Sequence, residues 1–121
     1  MNKLVKAVSN EELIPEFLHA LNGILKLTNR ELDLMAILIK IDMDYNTNSN
    51  EHKNVASTSN RKLIMNTLGI TKDNLSRYLK SFREKGILIS GPAEDELAVN
   101  KALIPNIIGD RLQLTIILKI K

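Results

Sequence analysis

Apolar and polar positions along this chain change period more than once, and each change predicts an element. Phe17, Leu18, Leu21, Ile24 and Leu25 fall on one side of a 3.6-residue repeat, so a helix is expected there. Ser9 with Glu12 three residues on offers one start for it, and Pro15 offers another. Ahead of it, Lys3 to Val8 is short and alternates poorly, which predicts an edge strand or an arm. The stretch from Thr28 to Tyr45 carries the strongest helical pattern. Leu32, Met35, Leu38 and Ile39 hold the spacing, and Leu34, Ile37 and Ile41 widen the stripe until it belongs at the centre of a core. Thr28 and Glu31 stand just ahead of that stripe as a T-x-x-E capping box.

A polar run, "NTNSNEHKN", then predicts a loop. "STSNRKLIMNTLG" predicts a short helix, capped from the Ser57–Ser59 cluster and stopped by Gly69 in the left-handed conformation. Thr71 caps another helix, in which Leu75, Leu79 and Phe82 recur at i, i+4 and i+7 until Gly86 ends it. There the period shortens. "ILIS" reads as a strand, "GPAEDE" as a turn and "LAV" as the return strand. Pro105 and Gly109 punctuate a looser stretch before "LQLTIILKI", a β-prone segment. Inside one molecule that segment would complete the sheet; as an exposed edge it would pair with another subunit, making a homodimer. The Phe17–Leu25 helix is the other candidate subunit surface.

Composition narrows the chemistry. A chain of 121 residues is the size of one domain, and no internal linker or repeat divides it. Aromatic residues are only 3%, so the core is aliphatic and a stacking platform for single strands has little to build on. The lack of cysteine excludes disulfides, thiolate metal sites and a Cys nucleophile. The first residues lack the apolar core of a signal peptide, and no apolar run approaches membrane-spanning length. A cytoplasmic protein with no membrane partner is therefore expected. Net charge is only +3, but its distribution is uneven: Lys53 to Lys85 holds eight Lys/Arg against Asp73 and Glu84, or +6, and the rest nine against twelve, or −3. A positive field concentrated on a mildly acidic body suits a polyanion; a solvated helix face is the plainer account of the same charges.

Candidate catalytic and metal motifs fail one by one. Asp42, Asp44 and Asn46 begin like a calcium loop, but the sixth position is Thr47 rather than Gly and the twelfth is Lys53 rather than Glu. Glu16 and His19 share a helical face without a third ligand, and His52 sits in a polar stretch. Ser57, Ser59 and Ser76 have no His/Asp arrangement beside them, and no Gly-rich phosphate loop exists. The expectation is a protein that is not an enzyme, with no cofactor and no metal.

The remaining constellation is a helix, a three-residue turn and a second helix. Ile64, Leu68, Ile70, Leu75 and Leu79 would pin the two together. At about 100° per residue from Leu75, the positions Asp73, Arg77, Lys80 and Glu84 point away from the core, with Asn74, Ser76 and Ser81 on the flanks. Such a helix can enter a major groove, where Arg pairs with guanine and Asn with adenine while Lys and Tyr hold phosphates.

"RKLIMNTLGITKDNLSRYLKSFREKGIL" resembles the winged helix-turn-helix of bacterial and phage regulators and plasmid replication initiators. The shared pattern is Leu-Gly-Ile-Ser/Thr, a helix of the form x-x-x-hydrophobic-Ser-x-x-Leu, and a closing Lys-Gly-hydrophobic pair. The resemblance implies an α+β, mainly α, fold: a winged helix-turn-helix with a small antiparallel β wing. It implies one domain over 1–121, with an extension at 1–27, a helical core at 28–90 containing the helix-turn-helix at 57–85, and the wing and a C-terminal strand at 87–121. It further implies that Thr71, Lys72, Asp73, Asn74 and Arg77 face the groove, that Tyr78 and Lys80 lie near the backbone, and that Arg61 and Lys62 contact phosphates. Function would then be double-stranded DNA binding in transcription or DNA replication, of phage or plasmid type, in a host cytoplasm if phage-encoded. Two positions depart from the pattern. Met65 stands where a small residue is usual, implying wider helix spacing, and Glu94, Asp95 and Glu96 make the wing turn acidic. The alternative is a protein–protein module of a phage transcription or virion complex, with RNA polymerase, a replication protein or a virion protein as partner.

Overall fold

Three of the four helices among the described residues begin where side-chain oxygens close their first turns. The computed structural model describes residues 3–48, 53–91 and 96–121. Along them run α1 (Leu13–Leu25), α2 (Asn29–Asn48), α3 (Thr58–Leu68) and α4 (Lys72–Glu84), then strands β1 (Leu88–Ser90) and β2 (Leu97–Val99). A 3₁₀ turn at Lys101–Leu103 and strands β3 (Ile107–Ile108) and β4 (Arg111–Leu112) follow. The chain is thus α+β and mainly helical, with two small antiparallel hairpins among the described residues. No helix among them is long and apolar enough to cross a membrane.

Ahead of α2 the reciprocal box forms as expected. The Thr28 N–H donates to Glu31 Oε1 at 3.0 Å, and the Glu31 N–H donates to Thr28 Oγ1 at 3.2 Å. Ser57 and Thr71 cap α3 and α4, each accepting at 3.2 Å from the backbone N–H three residues on, of Asn60 and Asn74 respectively. Gly69 closes α3 at φ 64°, a conformation that costs other L-residues but not glycine. Ser9 closes only half of its expected box: the Glu12 N–H donates to Ser9 Oγ, a turn forms, and α1 starts at Leu13.

Cα proximity divides the chain into two compact units, one of Thr28–Ile104 and one of the chain up to Leu27 with Pro105–Lys121. In the first, α2 is the core. Leu34, Met35, Leu38 and Ile39 are fully buried, as its stripe predicts. They are joined in the unit's interior by Ile64 of α3, by Leu75, Leu79 and Phe82 of α4, and by Leu88, Leu97 and Val99 of the first hairpin. β1 and β2 pair with Leu88 opposite Val99, Ile89 opposite Ala98 and Ser90 opposite Leu97. The Val55 N–H donates to the Leu97 carbonyl at 2.9 Å and extends this small sheet toward the chain ahead of α3.

In the second unit, α1 buries Phe17, Leu18 and Leu21 but leaves Ile24 exposed. Residues 3–8 form neither a strand nor a helix. The expected C-terminal strand is corrected here. Only Arg111 and Leu112 of that region are in a strand; they pair with Ile108 and Ile107 in a hairpin of their own, and residues 113–121 join no sheet. β-propensity marks a segment that fits a pleated, half-buried surface; whether it finds one inside the same molecule is a tertiary matter.

Candidate nucleic-acid interface

α4 owes its orientation to three buried side chains on one side. Leu75, Leu79 and Phe82 are 3% exposed or less, which fixes what the opposite side presents. Thr71, Lys72, Asp73, Asn74, Ser76, Arg77 and Lys80 are all exposed, and Tyr78 is half-buried. The pins expected on the supporting side divide: Ile64, Leu75 and Leu79 are buried, whereas Leu68 and Ile70 are only half-buried, as is Met65.

The charges of this region sort by what they touch. Of the eight cations between Lys53 and Lys85, three are engaged within the molecule. Lys53 pairs with Asp42 at 2.8 Å, and Lys85 reaches Glu31 at 3.5 Å. Arg61 is half-buried, and its Nε donates to the Ala56 carbonyl at 2.8 Å, bracing the start of α3. Lys62, Lys72, Arg77, Lys80 and Arg83 are exposed and make no ion pair or hydrogen bond through their side chains among the described residues. Four of these five are on α4. With Asp73 and Glu84 subtracted, α4 keeps a charge of +2 on a side with no intramolecular partner.

Arg83 is the residue the sequence reading passed over. By the same 100° arithmetic it lies about 80° from Leu75, on the flank of Lys72 and Ser76, and counting charges along that flank finds it. Glu31 is partly buried; burial pulls its carboxyl upward, but the hydrogen bonds from Thr28 and the Lys85 ammonium outweigh that and hold it below the usual glutamate value. The same carboxylate therefore caps α2 and neutralises the lysine that ends α4.

Behind this face lies a polar network that the sequence alone did not disclose. Asp42, 1% exposed, accepts from Lys53 Nζ and, at 2.9 Å, from the Val99 N–H, tying α2 to β2. Asn54 Oδ1 accepts from the Ala56 and Leu97 N–H groups, while its carbonyl accepts from the Tyr45 hydroxyl and from Asn60 Nδ2. These bonds hold the end of α2, the start of α3 and β2 together, so the supporting helix and the first hairpin share one frame. Asp42 thus serves as a buried anchor, and Lys53, at the position where a calcium loop needs a glutamate, is its counter-charge. Glu94 and Asp95 of the acidic turn lie outside the described residues, as does His52. Groups of three or more His, Cys, Asp and Glu placed to hold a metal do not occur among the described residues.

No protein-family model, no curated protein and no solved structure matches this chain.

Proposed function

We propose that residues 28–104 are a winged helix-turn-helix that binds double-stranded DNA and regulates transcription or DNA replication, of phage or plasmid type. One observation carries the reading. Lys72, Arg77, Lys80 and Arg83 share the exposed side of a helix whose other side is locked into the core, and none has a side-chain partner among the described residues. Unneutralised cations on a fixed helix are what a duplex backbone binds, with counterion release as the driving term. Asn74 and Arg77 are the base readers, since amide and guanidinium make bidentate contacts with adenine and guanine. Lys62, Lys72, Lys80 and Arg83 hold phosphates and fix the register. Arg61 contributes less than its charge suggests, because its Nε is already committed to Ala56.

The test is gel retardation on mixed duplexes, titrated with salt. Four phosphate contacts give a slope of log K against log salt of about −3.6. Arg77→Ala should cost about 1–3 kcal/mol on a selected site and relax specificity there, whereas Lys80→Ala should weaken all sequences alike and reduce the slope by about 1. No binding at low salt would sink the reading. That outcome favours the rival, a protein-docking module, for which Glu94 and Asp95 are the specific argument, since phosphates repel an acidic turn.

A further inference from the structure

We infer that residues 113–121 are a homodimerisation strand that pairs antiparallel with the same segment of a second copy, about an axis through Ile117. The starting point is a mismatch between chemistry and surroundings. Ile117 is 82% exposed, Leu118 85% and Ile120 95%, yet the segment makes no backbone hydrogen bond among the described residues. Leu112 and Leu114 are half-buried while Arg111, Gln113 and Thr115 are exposed. That alternation marks an extended chain over 111–115, beyond which both sides of the segment, Ile116, Leu118 and Ile120 included, are exposed. An extended apolar segment with open N–H and C=O groups is a template for a further strand.

The sequence of the segment selects a second copy of itself. With the axis at Ile117, Leu114 faces Ile120 and Ile116 faces Leu118, so one side of the ribbon is entirely apolar. On the other side Thr115 faces Lys119 and Gln113 faces Lys121, and no two like charges meet. Other registers are worse, an axis at Ile116 among them, since it sets Lys121 against Arg111. Parallel in-register pairing sets Lys119 beside Lys119. An antiparallel axis at Lys119 does the same, and one at Leu118 places Ile117 against Lys119. An odd offset puts Leu114 against Lys119 and mixes the two sides. Nine residues per copy is fewer than a standard interface uses, so the dimer is weak and depends on concentration. The inference does not rest on DNA reading by α4: the segment belongs to the other compact unit, and it is tested without DNA.

The chain contains no cysteine, so a single introduced thiol reports only on contact between copies. In the full chain, Ile117→Cys places two thiols opposite each other across the axis, with Cβ atoms about 5 Å apart and within disulfide reach. Ile120→Cys places them six residues apart along the ribbon, roughly 20 Å. Under mild oxidation the first should form a disulfide-linked dimer at least about tenfold faster than the second, given those separations. Sedimentation of Ile117→Lys and of Ile117→Glu should each show monomer, and an equimolar mixture should restore the dimer as opposite charges meet. Equal cross-linking rates, faster cross-linking through residue 120, or a mixture that stays monomeric would each overturn the proposal. Ile117 touches no core, so helical circular dichroism should be unchanged in every variant.

Discussion

The two hairpins of this chain are both antiparallel and both short, but they stand in very different surroundings. β1–β2 buries Leu88, Leu97 and Val99, donates hydrogen bonds from the Val99 and Leu97 N–H groups to Asp42 and Asn54, and accepts one from the Val55 N–H. β3–β4 has two residue pairs, leaves Ile107 and Ile108 exposed, and makes no bond of that kind among the described residues. A lone two-stranded hairpin is marginal in water, so strand pairing explains neither. The difference teaches that the first hairpin is placed by side chains reaching it from α2 and from the chain ahead of α3. That placement is what sets a wing beside a reading helix in the proposed function.

Breaking the anchor tests this most severely. Asp42→Ala strands Lys53 and leaves the buried Val99 N–H unsatisfied, and should cost about 3 kcal/mol, read from the urea midpoint. Amide exchange at Val99 should quicken more than at Leu38, whereas Ile108→Thr in the other hairpin should stay within about 0.5 kcal/mol of wild type. Equal losses at the two hairpins would abolish the distinction. Gly91→Ala should have the next largest effect. A Cβ there would lie 2.7 Å from Glu96 Cβ and 3.1 Å from the Lys53 carbonyl, so the strand ends must part, at about 1–3 kcal/mol. Thermal unfolding reads that loss, and a neutral result would mean the base of the hairpin yields easily.

The smallest effect concerns pH. Glu31 is held below the usual glutamate value, so its contribution is fully present above that value and is lost as pH falls through its lowered one. Acidification from pH 6 to below about 4 should therefore narrow the stability gap between wild type and Glu31→Gln, a gap of about 1 kcal/mol at neutral pH. A gap independent of pH would show that the carboxylate charge contributes nothing there.

What the sequence disclosed was local. Thr28 with Glu31, Ser57, Thr71 and Gly69 act over three or four residues, and each is found where the spacing puts it. The outward side of α4 followed from three apolar residues and one angle. The anchors were illegible because their partners are remote: Asp42 meets Val99 across 57 residues, and Asn54 meets Leu97 across 43. The bond from Arg61 Nε to the Ala56 carbonyl was illegible too, since charge is visible in a sequence and the carbonyl beside it is not. Residues 113–121 read as a strand of the sheet because apolar β-prone residues look the same whether their partner lies in the same molecule or in another.

The ion pair between Asp42 and Lys53 also has an engineering corollary. It joins two residues 11 positions apart in sequence, and closure entropy grows only slowly with the length of the intervening chain. Doubling its length should cost only about 0.6 kcal/mol in closure entropy. A peptide epitope or a fluorophore tether grafted at residue 50 should be tolerated, leaving the helices around it in register.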